Sequence, residues 1–261
     1  MIVPVADAHD PRLGDYAHVG DHAWLRSHGL FVAEGRLIVG RLIDSPRFPI
    51  RSVLLTPSAL QGFGGAIDIG PPVYVADQQV LNEITGFDFH RGCLALAQRP
   101  PEESDREHFS AARLLLAIEG VGNPDNIGGL FRVAGAFGAG GVLLDPKSGD
   151  PFYRKAVRTS MGAVLTVPFE RVTPWPSVLD DFKSSGFCVV ALVPSRGARP
   201  LDDFALDDHG PLIVLVGAEG PGLSDEVTGT VDVRVKIPMA PGVDSLNVTV
   251  AAGIALSRLV R

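Results

Sequence analysis

KIPMAPGVDSLNVTVAAG, residues 236–253, sets a Ser-Leu-Asn triplet between a Pro-containing loop and a run of small apolar residues. Val248, Val250, Ala251, Ala252, Ile254 and Ala255 read as a buried helix, and Ser245 and Asn247 stand directly before it. If the helix is interior, so is its polar entrance. Buried polar groups must find hydrogen-bond partners, so the junction marks a place where other parts of the chain should converge.

Upstream of it, 114–118, 141–144, 189–192 and 212–216 are continuous apolar runs separated by helical patterns. Such runs are the signature of parallel strands buried on both faces. The expected fold class is α/β, with a C-terminal parallel sheet and a smaller N-terminal α/β domain. In that smaller domain 30–33, 53–55, 73–76 and 93–97 read as short buried strands. They alternate with helical patterns over 36–43 and 77–85, the second capped by Asp77. Between the two blocks, QRPPEESDREHFSA at 98–111 joins a Pro pair to dense charge with almost no apolar content, as a linker does. The predicted domains are 1–105, with linker to about 111, and 112–261. No internal repeat or low-complexity segment is evident.

Composition sets outer limits. A chain of 261 residues, 46% hydrophobic and 20% charged, is globular and long enough for these two domains. It has no apolar run of about 18 residues, and its N-terminus lacks the basic start and apolar core of a signal peptide. A soluble, cytoplasmic protein with no membrane partner is expected. Cys93 and Cys188 lie in apolar strand-like runs without metal-ligand spacing, so they read as reduced core cysteines and no metal is expected. His18, His22 and His28 share one polar stretch and read as a solvated helix face. A net charge of −7 weighs against nucleic acid. Distribution outweighs the sum, because Lys147, Arg154, Lys155 and Arg158 cluster around a single acid, Asp150.

The strand tips carry the chemistry, as in open α/β sheets generally. After 114–118 comes EGVGNPDNIGGLFRVAGAFGAGG, where Pro124 suits a first helical turn and Asn123 or Asp125 can cap it. Ile127, Leu130, Phe131, Ala134 and Phe137 recur at helical spacing, which puts Arg132 on the outward face. GAFGAGG, 135–141, follows a helix and precedes a strand, the wrong order for a phosphate loop. GAEGPG, 217–222, follows a strand and precedes a helix capped by Ser224, but Glu219 would repel a pyrophosphate there. A neutral or cationic adenosine derivative fits better.

NPDNIGGLFR (123–132), LVGAEGPGL (215–223) and IPMAPGVDSLNVTVA (237–251) together resemble the three ordered motifs of the SpoU, or TrmH-like, RNA ribose 2′-O-methyltransferases of the SPOUT class. HGLFVAEGRLIVGRLI (28–43) and ITGFDFHRGCLALA (84–97) resemble the L30e-like substrate-binding domain carried by many ribosomal RNA members. The resemblance implies a deep trefoil knot in the C-terminal domain, an exception to the rule that chains do not thread loops. It also implies a homodimer, formed through that domain, whose active site is completed across the interface.

The same resemblance implies S-adenosyl-L-methionine as cofactor, its adenine held by the backbone of Gly217, Ile237 and Leu246, with Leu192, Glu219, Gly220 and Met239 completing the cofactor site. A sulfonium tolerates the Glu219 carboxylate where a pyrophosphate would not. Asn126, Arg132, Glu219, Ser245 and Asn247 match the catalytic positions. A guanidinium is a poor proton acceptor, so Arg132 is expected to orient the 2′-hydroxyl or a phosphate, with Arg132 itself, a phosphate oxygen or water taking the proton. The expected RNA path follows Lys147, Arg154, Lys155 and Arg158, with Arg91 on the first domain. The chain departs from the family pattern at Val133, where a hydroxyl residue is usual, and at Pro241, where glycine is usual.

Methylation of a ribose 2′-hydroxyl in ribosomal RNA is therefore the expected function. Transfer RNA is the alternative substrate, a non-catalytic RNA-binding relative the second alternative, and a nicotinamide-dependent enzyme the third.

Overall fold

Packing divides the chain into two units, residues 1–101 with 151–165, and 102–150 with 166–261. The computed structural model describes residues 1–65, 67, 69–101, 106–195, 197–204 and 210–259.

The first unit is built on a mixed sheet of β1 (Ile2–Pro4), β2 (Leu30–Glu34), β3 (Ile50–Leu55), β4 (Val73–Val75) and β5 (Cys93–Gln98). The order is β1-β4-β3-β5-β2, with β5 antiparallel to both of its neighbours and the other pairs parallel. The helices Arg36–Ile43 and Gln78–Thr85 fall where the periodicity puts them, although the Asp77 side chain makes no capping bond. One face of the sheet is closed by Leu13, Tyr16, Leu54, Leu81 and Leu94. Buried there, the Tyr16 hydroxyl shares a 2.9 Å hydrogen bond with Ser52 Oγ.

Residues 151–165 belong to this unit by packing, whereas the sequence reading assigns everything past 112 to the second domain. The reason is aromatic. Phe152 lies with its ring centroid 4.7 Å from that of Phe31 and 5.8 Å from that of Phe48, and the Arg99 guanidinium sits 5.3 Å from the Phe152 centroid. Ala156 and Val157 are fully buried, and Arg41 Nη1 donates to the Met161 carbonyl at 2.6 Å. Burying three such apolar side chains stabilises the association by roughly 1.5–3 kcal/mol for each large one.

Within the predicted linker, residues 102–105 lie outside the described residues. From Arg106 the chain is a short helix, Arg106–Ser110, whose Phe109 is buried in the core of the second unit. His108 Nε2 bonds the Gly140 carbonyl at 2.9 Å and the Arg106 guanidinium lies 5.3 Å from the Phe182 centroid, so a segment that reads as solvated is docked by an aromatic and its polar neighbours.

The second unit carries a seven-stranded sheet in which every pair is parallel. Its strands are β6 (Leu114–Glu119), β7 (Gly141–Leu144), β8 (Phe169–Arg171), β9 (Cys188–Leu192), β10 (Arg199–Pro200), β11 (Leu212–Gly217) and β12 (Val233–Lys236), ordered β10-β12-β9-β11-β6-β7-β8. The chain steps from β6 through β7 and β8 on one side, then supplies β9 to β12 on the other. Such a reversal opens a crevice at the carboxyl ends of the strands. Leu115, Ala117, Leu143, Val189, Ile213 and Leu215 are buried against Phe182 and Phe187 on one face. The helices Pro124–Ala136 and Val248–Leu259 pack on each other, and the latter also packs on β9 and β11.

That last helix is not wholly interior. Val250 is 50% exposed, and Ala251 and Ile254 are half-buried. Ser245 and Asn247 are exposed too, which corrects the expectation of a buried polar entrance. Val248, Ala252, Ala255, Leu256 and Leu259 form its buried stripe, so the helix is covered along one face and open along the other. Among the described residues no helix is long and apolar enough to cross a membrane.

Candidate active site

A cleft of about 830 Å3, counted to its open mouth, runs along the carboxyl ends of β9, β11 and β12. Leu192, Val193 and Pro194 follow β9 on one wall. The turn after β11 supplies Gly217, Ala218, Glu219, Gly220 and Gly222, and the segment after β12 supplies Ile237, Met239, Ser245 and Leu246. All seven residues expected to hold the cofactor therefore line one cleft, together with Ser245. Its lining has a single ionisable side chain, Glu219, and no basic one.

Local sequence explains the walls. A Cβ on Gly217 would collide with the backbone of Gly222 and Leu223, so only glycine lets the 217–222 turn fold back against the end of its own strand. Gly222 N–H donates to the Ala218 carbonyl at 3.0 Å and closes that turn. Between the wall residues Met239 and Ser245, Pro241 and Gly242 are the central residues of a turn in which Val243 N–H donates to the Ala240 carbonyl at 3.3 Å, with Gly242 at φ +86°. Proline suits the first central position and positive φ the second. The amide that proline lacks has no role in such a turn, so Pro241 is accommodated.

Asn247 organises the entrance. Its Nδ2 donates to Asn126 Oδ1 at 2.9 Å and to Glu219 Oε1 at 2.7 Å, while its Oδ1 accepts from Thr249 N–H at 3.0 Å and Val250 N–H at 3.3 Å. One side chain thus caps the last helix and ties together residues from all three motifs. Asn126 is buried in the helix Pro124–Ala136, which Asn123 caps by accepting from Asp125 N–H at 2.9 Å. On that helix Ile127, Leu130, Phe131 and Ala134 are fully buried, Phe137 is half-buried and Arg132 is exposed. Arg132 does not line the cleft, and among the described residues no hydrogen bond joins it to Ser245 or Asn247 within one chain. Val133, where the family has a hydroxyl, packs near Gly253 of the last helix.

Two supporting carboxylates escaped the sequence reading. Glu119, at the tip of β6, accepts from Trp175 Nε1 at 3.1 Å, from Ser224 N–H at 2.9 Å and from Ser224 Oγ at 2.8 Å, which anchors the chain just past the 217–222 turn. Asp145, buried at the end of β7, accepts from Gly120 N–H at 3.0 Å and Ser148 N–H at 2.7 Å, fixing the loop that leads into Asn126. A charged residue closing an unbroken apolar strand is the signal that could have found both.

The basic residues divide. Lys147 is exposed on the second unit. In the first unit Arg91, Arg154 and Arg158 converge on the buried Glu34 carboxylate, with nitrogen–oxygen distances of 3.2, 3.6 and 4.0 Å, and Lys155 is exposed beside them. Cysteine plays no part here. Burial pushes the Cys93 thiol up to about 12, which leaves it protonated and inert. Among the described residues no three His, Cys, Asp or Glu side chains gather as metal ligands.

A parallel sheet with a cleft at its carboxyl edge, ringed by three motifs that meet at one asparagine, defines a nucleoside-binding α/β enzyme. Residues 113–257 match the SpoU rRNA Methylase family, and the chain belongs to that family of RNA methyltransferases. It is 38% identical, over 98% of its length and 91% of the relative's, to an uncharacterized tRNA/rRNA methyltransferase of Mycobacterium tuberculosis (strain ATCC 25618 / H37Rv). The fold superposes on the AdoMet-bound rRNA methyltransferase of Sinorhizobium meliloti with a TM-score of 0.84 at 25% identity, covering 99% of this chain and 97% of that one. A solved RNA 2′-O ribose methyltransferase gives a TM-score of 0.81 at 25% identity, covering 98% of each chain.

Proposed function

We propose that the protein methylates a ribose 2′-hydroxyl in ribosomal RNA using S-adenosyl-L-methionine. The observation that carries this reading is the cleft lining, with glycine backbone, apolar walls and one carboxylate but no base. A dinucleotide pyrophosphate would meet Glu219 without a compensating cation, whereas a sulfonium is attracted to it. Leu192, Ile237, Met239 and Leu246 supply apolar contacts for an adenine, and the close-packed Gly217 turn presents main chain to it. Bound there, the cofactor supplies an electrophilic methyl group on a positively charged sulfur.

The chain's own residues must place the 2′-oxygen in line with that methyl and accommodate its proton. Asn247 holds Asn126 and the Glu219 carboxylate in fixed positions. Arg132 gives forked donors that orient the hydroxyl or an adjacent phosphate. Because Arg132 does not line the cleft of its own chain, we assign it to the cleft of a second copy in a homodimer. The half-exposed Val250, on a helix that is apolar nearly all round, supports an interface on that face. The C-terminal domain is proposed to be knotted, as in the family. The first unit is proposed to be the L30e-like RNA-binding domain, and the cytoplasm, where ribosomal RNA is, is the proposed location.

Purified protein with labelled cofactor should leave an alkali-resistant 2′-O-methyl nucleotide in ribosomal RNA, and Arg132→Ala should reduce transfer at least ~100-fold. Transfer to transfer RNA alone would move the substrate. Calorimetry showing RNA binding with no cofactor heat would favour a non-catalytic relative.

A further inference from the structure

The first unit contains a second hollow, separate from the proposed cofactor cleft, of about 500 Å3 counted to its mouth. Its floor is apolar, formed by the buried side chains of Val19 and Leu25. Two rings form a wall. His22 and Tyr153 are both half-buried, with centroids 4.8 Å apart and planes inclined at 58°. Arg154, Lys155 and Arg158 complete the rim.

Three guanidiniums crowd one acid beside this rim. Glu34 is a single carboxylate facing three guanidiniums, those of Arg91, Arg154 and Arg158. Arg154 is further held with its guanidinium 4.5 Å from the centroid of Phe87. Glu34 and Phe87 therefore hold these guanidiniums in place, three cations around one carboxylate, which favours an anion at the rim. An apolar floor, an aromatic wall and a fixed cationic rim match the parts of one nucleotide, whose base has two π-faces and whose phosphate is an anion. Single-stranded nucleic acid is recognised in this way, by stacking of splayed bases and by cationic contact with the backbone. A duplex keeps its bases stacked inside and would have to pay for unstacking and unpairing to offer one to such a hollow.

We propose that this hollow is a subsite for one unstacked nucleotide of a single-stranded RNA segment, the base against Tyr153 and His22 and a phosphate against Lys155 and Arg158. The choice of RNA rests on the methyltransferase reading above, but the subsite is distinct from the reacting centre. It gives residues 151–165 a role of their own, since they complete the first unit's binding surface as well as its core.

The test uses the full chain and a single-stranded oligoribonucleotide carrying 5-iodouridine, with a duplex of the same length for comparison. Irradiation should crosslink the single strand to Tyr153 or His22, as read by peptide mass spectrometry. Tyr153→Ala and His22→Ala should weaken single-strand binding about 5- to 100-fold, and Tyr153→Phe, which keeps the ring, should restore it. Lys155→Ala, at an exposed position, should lower the slope of log affinity against log salt by about 1. Crosslinks found only elsewhere, unchanged binding in the alanine variants, or equal Tyr153 dependence for the duplex would each overturn the proposal. Methyl transfer separates the two readings. Crosslinking at Tyr153 by a protein that transfers no methyl leaves the subsite standing and removes the methyltransferase. Full transfer with wild-type KM in Tyr153→Ala does the reverse.

Discussion

Asn247 performs two tasks with opposite ends of one amide. Its carbonyl oxygen accepts from Thr249 and Val250 N–H groups and caps the last helix, while its nitrogen donates to Asn126 and Glu219. Substitution can separate them. Asn247→Asp keeps the capping acceptor but loses the donor and sets a second carboxylate against Glu219, whereas Asn247→Ala loses both. Alanine should therefore cost about 0.5–2 kcal/mol of stability through the lost cap. Aspartate should melt closer to wild type yet transfer methyl groups poorly. Thermal unfolding and single-turnover kinetics on the two variants check this, and equal activity in Asn247→Asp would contradict it. The sequence singles out this residue as a polar group needing partners, and the partners are local: two helix amides and two side chains rather than Arg132. Its exposure is not legible, because the apolar run behind it does not say how far solvent reaches along the strand ends.

At the scale of elements, the long apolar strands and the first-motif helix are readable because continuous burial leaves little freedom in composition. β1, β8, β10 and β12 are not, since each has at most four residues and three of them carry charge. Glycine spacing is a better guide to the site than to the strands. The 217–222 turn has the right order of strand, turn and capped helix, and the Ser224 side chain does accept from Val227 N–H at 3.2 Å. What the sequence does not reveal is that Gly217 is needed for space. In Gly217→Ala the turn must move away from Gly222 and Leu223, with an expected loss of about 1–3 kcal/mol in stability, as for other overpacked sites. Cofactor affinity should fall about tenfold, because the displaced turn is one wall of the cleft. Isothermal titration with S-adenosyl-L-methionine checks the second effect, and wild-type affinity in this variant would remove the 217–222 turn from the binding site.

For the whole molecule, sequence order and packing diverge at residues 151–165. Phe152, Ala156 and Val157 are apolar at helical spacing, which predicts that they are buried but not against which sheet, so a boundary drawn at 112 separates residues that pack as one unit. The same limit applies to Arg132 and Asn247, which lie in the first and third motifs and share no hydrogen bond within one chain. Mixing two inactive variants decides whether they meet across two. In a symmetric dimer whose sites each draw Arg132 from one copy and Asn247 from the other, a heterodimer of Arg132→Ala with Asn247→Ala has one doubly altered site and one intact site. Random assortment at equal amounts makes half the dimers mixed, so activity should recover to about a quarter of wild type. If each site were built from a single chain, every site in the mixture would carry one substitution and no activity would return. Refolding the variants together and assaying methyl transfer distinguishes these outcomes. Adding Val250→Arg to both chains supplies the control, because a charge on that exposed apolar position should abolish both the dimer in sedimentation and the recovered activity.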